Sequence, residues 1–139
     1  MKENKKKYVS YQVSRALKQV GFNDYCMCYY GGDALLDNFK SPAQNQQIKH
    51  TRSTAPCWCE AMDWIRETKG LEIEVSKSVI HFYDANETLL PPKYQFVIDK
   101  IGYTDDYLYH SADVDEWYED YYQAREEGVL KALELIQTA

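Results

Sequence analysis

Around Gly70 the chain changes its hydrophobic period within a single residue. Upstream, Trp58, Ala61, Met62 and Ile65 recur at helical spacing, with Trp64 flanking the stripe. Downstream, Leu71-Glu72-Ile73-Glu74-Val75 alternates strictly. The first pattern is one buried face of a helix, and the second is a strand with one apolar and one wet face. Glycine suits the junction because it takes the left-handed conformation that ends a helix without a Cβ clash. Pro56 sits at the other end, where its missing N–H is harmless in a first turn and the hydroxyl of Ser53 or Thr54 can accept from the amides left over there. A helix leading directly into a strand covered on one side is an α+β signature.

The same reading predicts a first helix over 10–20, with Ser10 as N-cap, Val13, Ala16, Leu17 and Val20 on one face, and Gly21 as its stop. A strand over 25–30 follows, turning Cys26, Cys28 and Tyr30 to one side, and Gly31-Gly32-Asp33 breaks it. Residues 37–54 are polar, hold Pro42 and a run of Gln and Asn, and read as a loop. Strands are expected at 71–75, 79–83 and 94–101, the last pointing Tyr94, Phe96 and Ile98 one way, with 84–93 as loop. Residues 103–111 are either a short extra strand or an irregular arm.

A long helix is expected over 113–136, where Val114, Trp117, Tyr121, Ala124, Gly128, Ala132 and Leu135 recur every three or four positions. Asp113, Asp115 and Glu116 would suit its positive end. Glycine in a helix interior costs about 1 kcal/mol relative to alanine, so Gly128 on the stripe implies another backbone packed close. The expected order is α-β-α-β-β-(β)-α: a two-layer α+β fold, with a small, mostly antiparallel sheet of three or four strands and three helices on one face.

At 139 residues the chain fits a single domain, with 1–8 as a basic tail and 37–54 as the loop. No apolar run approaches the about 18 residues a bilayer helix needs. The start resembles no export signal, because Arg15, Lys18 and two glutamines interrupt the stretch after the lysines. Cytoplasmic residence and four reduced cysteines follow as expectations. The net charge of -6 hides a lopsided distribution. Nine acids and one base lie between Tyr103 and Glu127, together with six of the 13 tyrosines, while four lysines crowd the first seven residues.

Ala55-Pro56, Ala61 and Trp64-Ile65-Arg66-Glu67 form a pattern that resembles the A-P-(T/S)…A-x-x-W-(L/I)-R-E signature of small uncharacterised proteins encoded by prophages and mobile elements of gut bacteria. Val9-Ser10, Leu17-Lys18 and Gly21-Phe22 near the start support the resemblance, as does Gln123-Ala124 with the run from Gly128 to Ile136. Cys57-Trp58-Cys59 departs from the polar residues of that helix start, and 84–111 is longer. The resemblance implies a cytoplasmic, phage-associated origin and carries no activity.

Catalytic chemistry finds little support in the residues. The C-x-C pairs Cys26/Cys28 and Cys57/Cys59 suggest a thiolate zinc site, but two residues in a helix at that spacing lie about 200° apart around the axis. Tyr103-Thr104-Asp105-Asp106 spells the paired-aspartate motif of reverse transcriptases, in a chain too short for a polymerase, and reads as a polar turn. Gly31-Gly32-Asp33 lacks the remainder of a phosphate loop. No metal, cofactor or small-molecule ligand is expected, and the acidic balance argues against nucleic acid. The favoured reading is a non-catalytic module that binds a protein partner, or a second copy of itself, through Tyr107, Tyr109, Tyr118, Tyr122, Asp105 and Asp106. The alternative is a small metal-independent hydrolase or nuclease-like enzyme using His81 or His110 with Asp105, Asp106 or Asp113, although His50, His81 and His110 each stand isolated from any nucleophile motif.

Overall fold

The computed structural model describes residues 7–102 and 107–138. Among these, three α-helices and six strands run in the order α1 (Tyr11–Gln19), β1 (Cys26–Tyr30), β2 (Leu36–Ala43), β3 (Ser53–Thr54), α2 (Trp58–Lys69), β4 (Leu71–Lys77), β5 (Tyr94–Lys100), β6 (Tyr107–His110) and α3 (Tyr121–Thr138). Single 3-10 turns occupy Asn45–Gln47 and Ser111–Val114. The fold is α+β, with helices and antiparallel strands mixed along the chain. Two three-stranded sheets, ordered β2-β1-β3 and β4-β5-β6, replace the single sheet expected from sequence.

The elements the pattern identified are held by the interactions it implied. Ser10 Oγ accepts from the Val13 amide at 3.3 Å at the start of α1. Gly70 closes α2 at φ 70°, donating to the Arg66 carbonyl at 3.1 Å. β4 then pairs with β5 in register, Ile73 opposite Ile98 and Val75 opposite Phe96. Val13, Leu17, Ile65, Ile73, Phe96, Ile98, Val129 and Leu133 join one buried cluster drawn from both halves of the chain. Each large side chain so buried contributes about 1.5–3 kcal/mol.

Further expectations need correction. Residues 37–54 are not a loop but hold β2, a 3-10 turn and β3. Their order comes from buried hydrogen bonds rather than from an apolar face. Asn45 Nδ2 donates to the Phe22 carbonyl at 2.8 Å, and its Oδ1 accepts from the Thr54 amide at 2.9 Å. The Ser14 hydroxyl lies 2.5 Å from that of Ser53 and 2.8 Å from the Thr54 carbonyl. The carbonyl can only accept, so Ser14 donates to it and Ser53 donates to Ser14. Ser53 and Thr54 therefore sit in a sheet, paired with Tyr30 and Tyr29, and the residue that caps α2 is Cys57.

Tyr8, assigned to the basic tail, pairs with Cys57, and Val9 beside it is fully buried. No strand forms at 79–83: the β4–β5 ladder ends at Lys77 opposite Tyr94, and beyond it the chain makes only separate backbone contacts, among them Ser78 to Lys93 at 2.7 Å and an isolated bridge between Tyr83 and Leu89. Val79 is 91% exposed there. The last helix starts at Tyr121, not at 113. Asp115 adopts φ 58°, and Tyr118 is extended, exchanging hydrogen bonds with Tyr94 at 2.8 and 2.9 Å. Asp120 Oδ1 accepts from the Gln123 amide at 2.8 Å and so caps the helix.

A last correction concerns Gly128, which meets side chains rather than a backbone. A Cβ there would stand 3.1 Å from Ile73 Cγ2 and from Phe96 Cγ. Phe96 has little room to yield, since its ring stacks on Tyr109 at 5.6 Å and on Tyr118 at 5.8 Å between centroids. Gly128→Ala gains about 1 kcal/mol of helix propensity and suffers about 1–3 kcal/mol of overpacking. The expected outcome is a net loss of about 1 kcal/mol, seen as a lower urea midpoint at unchanged slope. Adding Phe96→Leu is expected to give a double variant less destabilised than the two single effects summed.

Candidate functional site

A cleft of about 490 Å³ opens where four element ends meet. Its walls are Tyr8 and Tyr11 at the entry to α1, Tyr30 at the end of β1, Trp58 at the start of α2, and Asp120, Tyr122, Arg125 and Glu126 at the start of α3. Each wall residue is fixed by its element. Tyr8 pairs with Cys57, Tyr30 Oη donates to the Val9 carbonyl at 2.7 Å, and the Tyr11 and Tyr30 rings meet edge to face at 5.7 Å.

Arg125 lies along one wall. Its guanidinium stands 4.4 Å from the Trp58 ring centroid, 5.2 Å from that of Tyr122 and 5.7 Å from that of Tyr121. Burial lowers the Arg125 pKa, and the nearby tyrosines and Glu126 partly offset it. Burial also raises the Tyr30 pKa, with the Glu126 charge adding to it. Glu60 accepts from the Cys57 amide at 3.2 Å, and Asp120 caps α3. Glu126, half-buried, makes no hydrogen bond or ion pair with the described residues.

The tyrosines singled out from sequence divide between packing and exposure. Tyr109 and Tyr118 are half-buried against Phe96, and the Tyr109 hydroxyl donates to Glu116. Tyr107 is exposed and meets the His110 ring edge on at 5.2 Å. Tyr122 is exposed and lines the cleft. Asp105 and Asp106, with the whole Tyr103 to Asp106 motif, lie outside the described residues.

Of the histidines, His110 does reach a carboxylate. Its Nδ1 is 3.4 Å from Asp113 Oδ1, while its Nε2 is 2.9 Å from Gln95 Oε1 and Gln95 Nε2 donates to Ser76 Oγ at 3.2 Å. Glutamine thus stands between histidine and serine, and none of these residues borders the cleft. His81 is exposed in the segment linking β4 to β5. Cys26 and Cys28 are buried under the first sheet, Cys57 is half-buried and Cys59 is exposed. Among the described residues no three His, Cys, Asp or Glu side chains are placed to hold a metal ion. No helix there is long and apolar enough to cross a membrane.

Sequence reasoning missed the cleft because its residues are scattered over the chain from Tyr8 to Glu126. One signal was available. Asp120 followed by Gln123 is a helix-start pattern, and it would have put Tyr122, Arg125 and Glu126 in the first turns of α3. No protein-family model, curated protein or solved structure matches the chain.

Two outcomes test these environments. The hydrogen bond to Glu116 pushes the Tyr109 pKa up to about 12, and burial with the charges of Glu116 and Glu127 pushes that of Tyr118 to about 12. In the unfolded chain both phenols ionise near 10.0. Their contribution is therefore whole below that pH and lost as pH rises toward the folded values. Urea denaturation across this window is expected to show falling stability, with a shallower fall in Tyr109→Phe/Tyr118→Phe. Burial, reinforced by Glu60, raises the Cys57 pKa to about 11, and burial raises that of Cys26 to about 12. Iodoacetamide at neutral pH is expected to modify Cys59 first, and Cys26 and Cys28 only after unfolding, as read by peptide mass spectrometry.

Proposed function

We propose that this chain is a non-catalytic protein-binding module of a phage or other mobile element, working in the cytoplasm, with the aromatic cleft as its contact site. The observation that carries the reading is the cleft itself, in which Tyr8, Tyr11, Tyr30, Trp58 and Tyr122 converge from distant parts of the chain. Tyrosine and tryptophan supply large, rigid contact area with a polar tip, which is why they dominate binding anchors. The phage-associated origin and the cytoplasmic setting both rest on the resemblance of the Ala55-to-Glu67 pattern.

The hydrolase alternative has the His110–Asp113 contact in its favour. Against it stand the engagement of Nε2 by Gln95, which leaves the ring no nitrogen for a substrate proton, and the distance of the pair from the cleft in the fold. Affinity capture from the source cells, with the wild type and Tyr122→Ala compared by quantitative mass spectrometry, tests the proposal. A partner held by the wild type, retained by Glu67→Gln, an exposed position of α2 outside the cleft lining, and depleted about tenfold with Tyr122→Ala is expected. Capture that ignores position 122 would sink the assignment of the cleft. Tyr109 and Tyr118 are poorer probes, because truncating either unpacks Phe96.

A further inference from the structure

We infer that the free edge of β4 accepts an extended segment of a partner protein as a fourth strand of the second sheet, and that this segment alternates basic with apolar side chains. The surface is separate from the cleft, since no residue of β4 lines it. β4 stands at the end of the order β4-β5-β6, so only one of its sides is paired. The register settles which groups are left over. Gly70 accepts from the Ile101 amide at 2.9 Å and Ser78 donates to the Lys93 carbonyl at 2.7 Å, so Glu72, Glu74 and Ser76 between them turn their N–H and C=O groups to β5. Leu71, Ile73, Val75 and Lys77 point theirs the other way. Among the described residues no backbone group of another element bonds to that outer row, which opens at half-buried Val75 and exposed Lys77.

The long edge of the first sheet, on β2, is blunted by devices that β4 lacks. The β1–β2 ladder shifts register between Cys26 and Cys28, Pro42 has no N–H to offer, and Lys40 is exposed close by. The β4–β5 ladder runs from Leu71 to Lys77 without a bulge, and β4 holds no proline. An edge left in this state is a template for a further strand. Charge selects which strand. On the wet face Glu72 stands directly opposite Asp99, with Glu74 two residues on, and among the described residues none of the three carboxylates has an ion pair. Like charges opposed across a ladder destabilise it. Lysine or arginine opposite Glu72 and Glu74 would supply the counter-charge, and the residues between them would lie on the side of Ile73 and Val75. A second β4 brought to the same edge would only add acids to that face.

Amide NMR and hydrogen exchange on the full chain, titrated with a short peptide of alternating lysine and valine, test this. Binding is expected to protect the amides of Ile73, Val75 and Lys77 and to leave those of Glu72, Glu74 and Ser76, already bonded to β5, little changed. The glutamate–valine counterpart and a backbone-N-methylated lysine–valine peptide are expected not to bind. Lys77→Pro removes one outward N–H at an exposed position without cutting a bond to β5, and is expected to weaken binding about tenfold; Lys77→Gln, which loses the same charge and keeps the amide, changes it less than about twofold. Glu72→Gln/Glu74→Gln is expected to cost about tenfold, against less than about twofold for Asp24→Asn/Glu119→Gln, which removes as much charge elsewhere. Binding that ignores Lys77→Pro, or that the N-methylated or glutamate peptide matches, would overturn the inference. So would self-association in light scattering that Lys77→Pro abolishes, since the occupant would then be a second copy. Tyr122→Ala is expected to keep the peptide, so that a loss of cellular capture in that variant bears on the cleft and not on this edge.

Discussion

The contact of Gly128 with Ile73 and Phe96 sets where α3 lies on the second sheet, and the rest of the molecule follows from that seat. Without a side chain at 128 the helix comes down to a strand surface that a Cβ could share only at 3.1 Å. The approach works because Phe96 is clamped by Tyr109 and Tyr118, which makes the sheet surface rigid where the helix lands. Arg125 and Glu126 precede Gly128 by less than a turn. The geometry that packs the core therefore also determines how the charged start of α3 meets Trp58, at the start of α2, and Tyr30, at the end of β1.

The first half of the molecule is tied in by a different means. The 3-10 turn and β3 are held by the side chains of Asn45, Ser14 and Ser53 and the backbone of Thr54, whose buried polar groups bond to one another and to the Phe22 carbonyl. Such bonds add only about 1 kcal/mol net each, but leaving one partner buried and unmatched costs about 1–3 kcal/mol. Directional bonds of this kind fix β3 beside β1, and with it the position of Ala55 and Pro56 leading into α2. The cleft thus draws one wall from a region fixed by apolar packing and another from a region fixed by hydrogen bonds.

This difference explains what the sequence disclosed and what it withheld. α1, α2, β4 and β5 were legible because each buries an apolar face, whose period of 3.6 or 2 is written in consecutive residues. β2 and β3 were not. β2 has no fully buried residue and its half-buried positions do not alternate, while β3 buries Ser53 and Thr54, so neither shows hydrophobic alternation. The start of α3 was misplaced for the opposite reason. Val114 and Trp117 fall on helical spacing by coincidence: Val114 is exposed, and Trp117 packs edge to face on Phe82 at 5.1 Å from the arm between β4 and β5. Periodicity reports buried faces, and a residue buried by an irregular neighbour imitates it.

The tyrosine content, conspicuous in the sequence, resolves into distinct physical roles. Tyr109 and Tyr118 act as packing plates for Phe96, and Tyr29 stacks on Phe39 at 4.2 Å. Tyr8, Tyr11, Tyr30 and Tyr122 instead turn part of their surface to the cleft. A leucine could fill many of the same volumes, but it would present neither a quadrupole to a cation nor a hydroxyl to water.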